Sequence, residues 1–287
     1  MTPNYSKLIP SMPKETARAA NAIFGRSNFY IAIGEYLETI LEDIELQGSS
    51  EREEVARLEG ATWALITLFQ FIEGLTDVQA ADAVRTRIDW KFALHLSLIP
   101  ARFHEYVLCE FRRRILTDSV SQHEFQRLLD RLTTFVPSLR NNFENLNGLE
   151  VVASVCSINR LNHAQQAMNE MLEILAARFP DWLRKTALPH WYGRYNRTTP
   201  RLEMAILLGQ QQFLMEEIGG DIHHLLEKIH QSGSRELDEL HEVEALDQVW
   251  LQQFKEPKSA PNHWPENLNL KDCNTCAYKG TGRRHPI

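Results

Sequence analysis

Apolar residues return every three or four positions along most of the chain. Ile33, Leu37, Ile40, Leu41 and Ile44 trace one stripe, and Phe125, Leu128, Leu129, Leu132 and Phe135 trace another. That spacing collects side chains on one face of an α-helix. No stretch shows the period-two alternation of a half-buried strand. The pattern predicts helices over residues 14–24, 28–46, 51–73, 76–87, 90–97, 104–117, 121–135, 150–178, 200–217, 221–231 and 236–254.

Punctuation between the stripes agrees. Gly25 and Gly74 follow apolar runs as candidate left-handed helix stops. Thr76 with Gln79, and Ser121 with Glu124, fit the capping box, in which two side chains satisfy free backbone amides reciprocally. "GSS" at Gly48, Ser49 and Ser50 is a short linker, residues 137–148 ("PSLRNNFENLNG") form a polar break, and Pro257, Pro261 and Pro265 punctuate an irregular tail. The expected fold is therefore all-α: an irregular multi-helix bundle with a helical domain over 1–136, a second over 149–254, and an irregular tail over 255–287. The most apolar run, "WALITLFQFI" at 63–72, is half the ~20 residues a membrane crossing needs, so it reads as a buried helix and no membrane is expected.

That buried run, then Gly74, Leu75 and Thr76, then a capped helix from Asp77, has the layout of a helix-turn-helix. Val78, Ala81 and Val84 are expected to pack inward. Gln79, Asp82, Arg85 and Thr86 would then face outward, towards phosphates and base edges or simply towards solvent.

Charge narrows the choice of partner. With 31 Lys and Arg against 38 Asp and Glu, the 287-residue chain carries a net −7. Proteins that coat nucleic acid nonspecifically do so by clustering cations on phosphates, so that class is excluded. Local basic patches remain. Residues 85–127 hold eight basic against five acidic residues, among them Arg85, Arg87, Lys91, Arg102 and the triplet Arg112, Arg113 and Arg114. Residues 182–201 ("WLRKTALPHWYGRYNRTTPR") contain Arg184, Lys185, Arg194, Arg197 and Arg201, no acid, and the rings of Trp191, Tyr192 and Tyr195. Cations for phosphates with flat rings for stacking suit nucleic acid. Equally, the aromatics can anchor a loop whose arginines stay solvated. Residues 236–247 ("ELDELHEVEALD") are by contrast strongly acidic, which leaves room for a protein partner or a homo-oligomer.

Four cysteines, two of them (Cys109 and Cys156) inside apolar helical patterns, suit reduced thiols in a cytoplasmic protein, and no secretory signal opens the sequence. Cys273 and Cys276, with His285 or His263, have only half the spacing of a zinc site. His223, Glu227 and His230 share one helical face and reach a metal only if that face is not simply surface. No phosphate loop or nucleophile elbow occurs, and no cofactor is expected.

One resemblance organises these features. "TWALITLFQFIEGLTDVQAADAVRTRIDWKFALHLSL" followed by "RFHEYVLCEFRRRIL" is similar to the N-terminal region of bacterial insertion-sequence transposases of the DDE class that carry an InsH-type N-terminal domain. The likeness extends upstream through "PKETARAANAIFGRSNFY" and downstream through "VVASVCSINRLN", "FPDWLRKTALPHWYGRYNR" and "EVEALDQVWLQQF". The chain departs from the family pattern at His104 and Cys109, where Asp and Ser are usual.

The resemblance implies a DNA-binding helical region. The family's catalytic core uses three acids to hold two divalent ions. Its first acid would fall on Asn147, an amide that cannot serve as a charged metal ligand. Glu144 and Glu150 lie nearby. The later acids are expected to be missing, since the sequence reaches Ile287 about where that core would continue. The expectation is a transposase-derived, catalytically incomplete DNA-binding protein with no catalytic or metal-binding residues. Its DNA contacts are expected from Gln79, Arg85, Arg87, Lys91, Arg112, Arg113, Arg184, Lys185, Trp191, Arg194, Tyr195, Arg197 and Arg201. The alternative is an interaction or assembly protein reusing the same scaffold without DNA. A residual nuclease completed by another chain is the third possibility.

Overall fold

The computed structural model describes residues 9–25, 27–48, 53–99, 103–137, 139, 146–195 and 210–255. Among them every regular element is helical and none is a strand, so the fold is all-α. Arg102, Glu144, Arg197, Arg201, His263, Cys273, Cys276, His285 and the start of the helix expected from residue 200 lie outside the described residues, as does almost all of the expected tail.

The chain divides into two compact units, one up to Val155 and the other from Cys156. The first contains α1 (Lys14–Ile23), α2 (Phe29–Ile40), α3 (Glu53–Glu73), α4 (Asp77–Thr86), α5 (Ile88–Ala93), α6 (Tyr106–Thr117) and α7 (Ser119–Phe135). The helix α8 (Gly148–Arg178) runs across the division. The sequence placed the boundary in the polar break over 137–148. It falls later because the start of α8 is tied to α7: the Gly148 amide donates to Gln126 Oε1 at 2.8 Å, and Gly148 sits close against the Phe125 ring.

At the centre of the first unit lies α3, whose Ala64, Leu65, Ile66, Leu68 and Phe69 are all at most 1% exposed. A helix buried on every side needs no amphipathic stripe. Tyr30, Phe69 and Trp90 pack ring against ring beside it. Gly34 allows α2 to close on α5, since a Cβ there would lie 2.7 Å from the Phe92 carbonyl oxygen.

Helix ends separate the expected signals from the operative ones. Gly74 stops α3 in the left-handed region (φ 65°), whereas α1 ends earlier, at an extended Phe24, and does not use Gly25. α2 stops at Ile40 rather than 46. Asp43 turns the chain with φ 57°, and Arg131 donates to the carbonyls of Thr39, Ile40 and Glu42. The capping box of Thr76 and Gln79 is formed in both directions, at 3.3 and 3.0 Å. The box expected of Ser121 and Glu124 is not: α7 begins two residues earlier, Asp118 accepts from the Ser121 amide at 2.8 Å, and Glu124 instead accepts from the Glu45 amide at 2.9 Å.

The second unit continues along α8 into α9 (Pro180–Thr186), α10 (Trp191–Arg194), α11 (Gln210–Gln231), α12 (Arg235–Asp238), α13 (His241–Trp250) and a π-helical turn (Leu251–Lys255). Leu161, Ala164, Met168, Met171 and Leu175 on α8 form its core with Ile218, Ile222, Leu225 and Ile229 on α11. The break expected between residues 217 and 221 is absent, because α11 runs straight through Gly219 and Gly220. Gly219 is needed for room: a Cβ there would come within 2.5 Å of the Phe254 ring.

Candidate nucleic-acid interface

In the first unit, α3, the turn at Gly74 and α4 form the expected helix pair, and a buried polar cluster locks it. The Arg112 guanidinium, fully buried on α6, donates to Asp77 at 2.6 Å and to Gln70 at 3.3 Å. Gln70 in turn donates to Asp77 at 2.8 Å. A charge this enclosed is retained only because it is paired and hydrogen-bonded. Arg112 therefore cannot be a DNA contact. Asp77 also explains the phase of α4: it takes an inner position with Ala80, Ala81 and Val84, and Val78, expected inside, is 58% exposed.

Two more expected contacts are withdrawn by packing. Lys91 is buried, donates to the Leu98 carbonyl at 2.7 Å, and has its ammonium pKa lowered by burial. Arg87 lies 5.1 Å from the ring centroids of both Tyr30 and Trp90. It also donates to Asp89 at 2.6 Å and to Glu73 at 2.5 Å. Burial opposes its charge, but those two carboxylates outweigh it and hold the guanidinium protonated. Gln79 is engaged in the cap of α4. Arg85 and Arg113 remain partly exposed, each paired with a neighbour one helical turn away: Arg85 with Asp82 and Arg113 with Glu110, both at 2.5 Å. The outer face of α4 is thus charge-balanced, with Val78, Asp82 and Arg85 along it.

In the second unit the basic aromatic segment divides in two. Trp191, which opens α10, and Tyr195, which follows its last residue, are 3% and 8% exposed and join the core. Neither ring is available to stack on a base. Beneath them the Asp221 carboxylate of α11 accepts from Tyr195 Oη at 2.8 Å, from His190 Nε2 at 3.0 Å and from Arg194. Arg194 also pairs with Glu217 at 2.7 Å, so this guanidinium is not a phosphate contact. Burial alone would raise the Asp221 carboxyl, yet His190, Tyr195 and Arg194, with the nearby Trp191 indole N–H, hold it below the ordinary aspartate range. Burial and the adjacent Asp221 charge push the Tyr195 phenol up, keeping it a donor.

What this clamp leaves outside is the remaining candidate surface. Arg184 and Lys185 at the end of α9 are exposed, and Arg184 pairs at 2.6 Å with Asp181, itself 84% exposed. Surface pairs of this kind hold a cation weakly. Arg178 at the end of α8 is exposed too, and the Tyr192 ring is 82% exposed. Sequence reasoning missed Arg178 and Asp221, and it counted the Tyr192 ring in the segment without naming it among the contacts. The spacing of Trp191 and Tyr195 carried the signal for Tyr192: residues four apart share a face, so the ring between them points elsewhere.

At the position matched to the family's first acid, Asn147 Oδ1 accepts from the amides of Leu149 and Glu150 at 2.9 and 3.2 Å. It caps α8, the ordinary task of an Asn before a helix. Glu150 is exposed on the first turn. Among the described residues no three His, Cys, Asp or Glu side chains converge on a metal site, His223, Glu227 and His230 included. No helix among the described residues is long and apolar enough to cross a membrane. No protein-family model, curated protein or solved structure matches the chain.

Proposed function

We propose that the chain is a DNA-binding helical protein derived from an insertion-sequence transposase, with an amide, Asn147, where that enzyme's first catalytic acid would stand. In this reading the contact surface is the segment from Arg178 to Tyr192. The observation that carries it is the separation within that segment. Arg194, Trp191 and Tyr195 are spent on an internal clamp, while Arg178, Arg184, Lys185 and Tyr192 stay exposed. Exposed cations and a solvent-facing ring within one segment suit phosphates and an accessible base. The resemblance in sequence supplies the transposase lineage, and the capping role of Asn147 supports the loss of catalysis.

A salt titration tests the reading. Fluorescence anisotropy with a labelled 20-base-pair duplex and the matching single strand, between 50 and 200 mM salt, is expected to show duplex affinity falling about 40-fold or more, as release of counterions from three or four phosphates requires. Absence of binding at 50 mM, or binding indifferent to salt, would overturn it. The first outcome would favour an assembly protein docking through the charge-balanced face of α4, where Val78 is exposed.

A further inference from the structure

A groove of about 450 Å³ runs along α11 in the second unit, on the side facing α13. Leu226 lies at its buried base. His223, Glu227, His230 and Gln231 line it from α11, and Asp247 and Trp250 from α13. The α11 residues recur at intervals of three and four, so one helical face supplies that whole wall.

The lining selects a ligand by exclusion and by fit. An anion is disfavoured, because two carboxylates line the groove and no Lys or Arg does. A bound divalent ion is disfavoured, because no three of these donors converge. What the groove offers is an indole ring, two carboxylates contributed by different helices, and two imidazoles. The Trp250 ring already takes a flat partner, with the His223 ring 4.9 Å away and tilted by 45°. Glu227 is exposed, and its carboxylate accepts from the Gln231 side-chain amide at 2.9 Å on the same helix, an interaction easily exchanged. A planar cation that stacks on an aromatic face and donates in a fork to a carboxylate uses all of these features. An ammonium uses only the charge.

We propose that this groove is a recognition site for a guanidinium group, carried either by an arginine side chain of a peptide or by a small free guanidine. The site is separate from the segment assigned above to DNA and stands whether or not that assignment holds.

Isothermal titration of the full chain with agmatine, with acetyl-Ala-Arg-Ala-amide and with its lysine counterpart tests this. Saturable binding of at least one guanidinium ligand is expected, with the lysine peptide at least fivefold weaker. Tighter binding of the peptide identifies a polypeptide source, and tighter binding of agmatine a small molecule. Glu227→Gln and Asp247→Asn, both at solvent-accessible positions, are each expected to weaken binding at least fivefold with an unchanged thermal melt. No binding at 10 mM of either guanidinium ligand, equal binding of the lysine peptide, or binding unaffected by both substitutions would overturn the proposal.

Discussion

Arg112→Met is expected to destabilise the first unit by about 3–5 kcal/mol, the cost of leaving a buried charge without its partner. The thermal transition should fall by about 10 °C. The cause is specific. Asp77 is 4% exposed, and removing the guanidinium takes away its ion-pair partner while the neutral Gln70 amide stays at 2.8 Å. Adding Asp77→Asn neutralises the stranded carboxylate, so the double variant should be more stable than Arg112→Met alone, a sign that separates lost charge pairing from a simple cavity. Differential scanning calorimetry of the three variants checks this. A double variant as unstable as the sum of the two singles would show that pairing is not what holds α4 against α6.

The second large effect is expected at Asp221, which gathers His190, Arg194 and Tyr195 onto α11. Asp221→Asn removes the charge and keeps the shape. About 3 kcal/mol of the second unit's stability should go with it, because Arg194 is itself only 16% exposed and would lose its closer carboxylate. The sign with pH follows from the lowered carboxyl. An acid depressed in the folded state adds stability that is fully present above its unfolded range, near 4, and is lost as the pH falls through the folded value. The wild-type second unit should therefore weaken on acidification below about pH 4, and Asp221→Asn should flatten that limb. Denaturant melts at pH 7, 5, 4 and 3 read both effects. An unchanged acid limb would mean that another carboxylate governs it.

Both sites show what periodicity conveys and what it hides. The stripes through Ile33 and Leu37, and through Phe125 and Leu132, announce helices because burial of apolar surface sets their phase. Gly74 and the Thr76 capping box announce a turn because their chemistry is local. Arg112 and Lys91 gave no such signal. Their burial depends on a partner 35 residues away in one case, Asp77, and on a carbonyl beyond the helix end in the other, so nothing in the local pattern distinguishes them from surface cations. The end of α2 was obscured in the same way, since Arg131 comes from α7 to cap it. Trp191 and Tyr195 were partly legible: their spacing marks one face, but whether that face meets core or solvent is decided by Asp221 and α11.

The placement of the DNA-contacting surface is the claim on which the functional reading turns. Its most direct test is duplex affinity at 50 mM salt for the Arg184→Glu/Lys185→Glu variant, measured beside Arg85→Glu on α4. The account predicts at least a tenfold loss for the first and less than a twofold change for the second. Equal affinity of Arg184→Glu/Lys185→Glu and the unaltered chain, or a larger loss from Arg85→Glu, would contradict it.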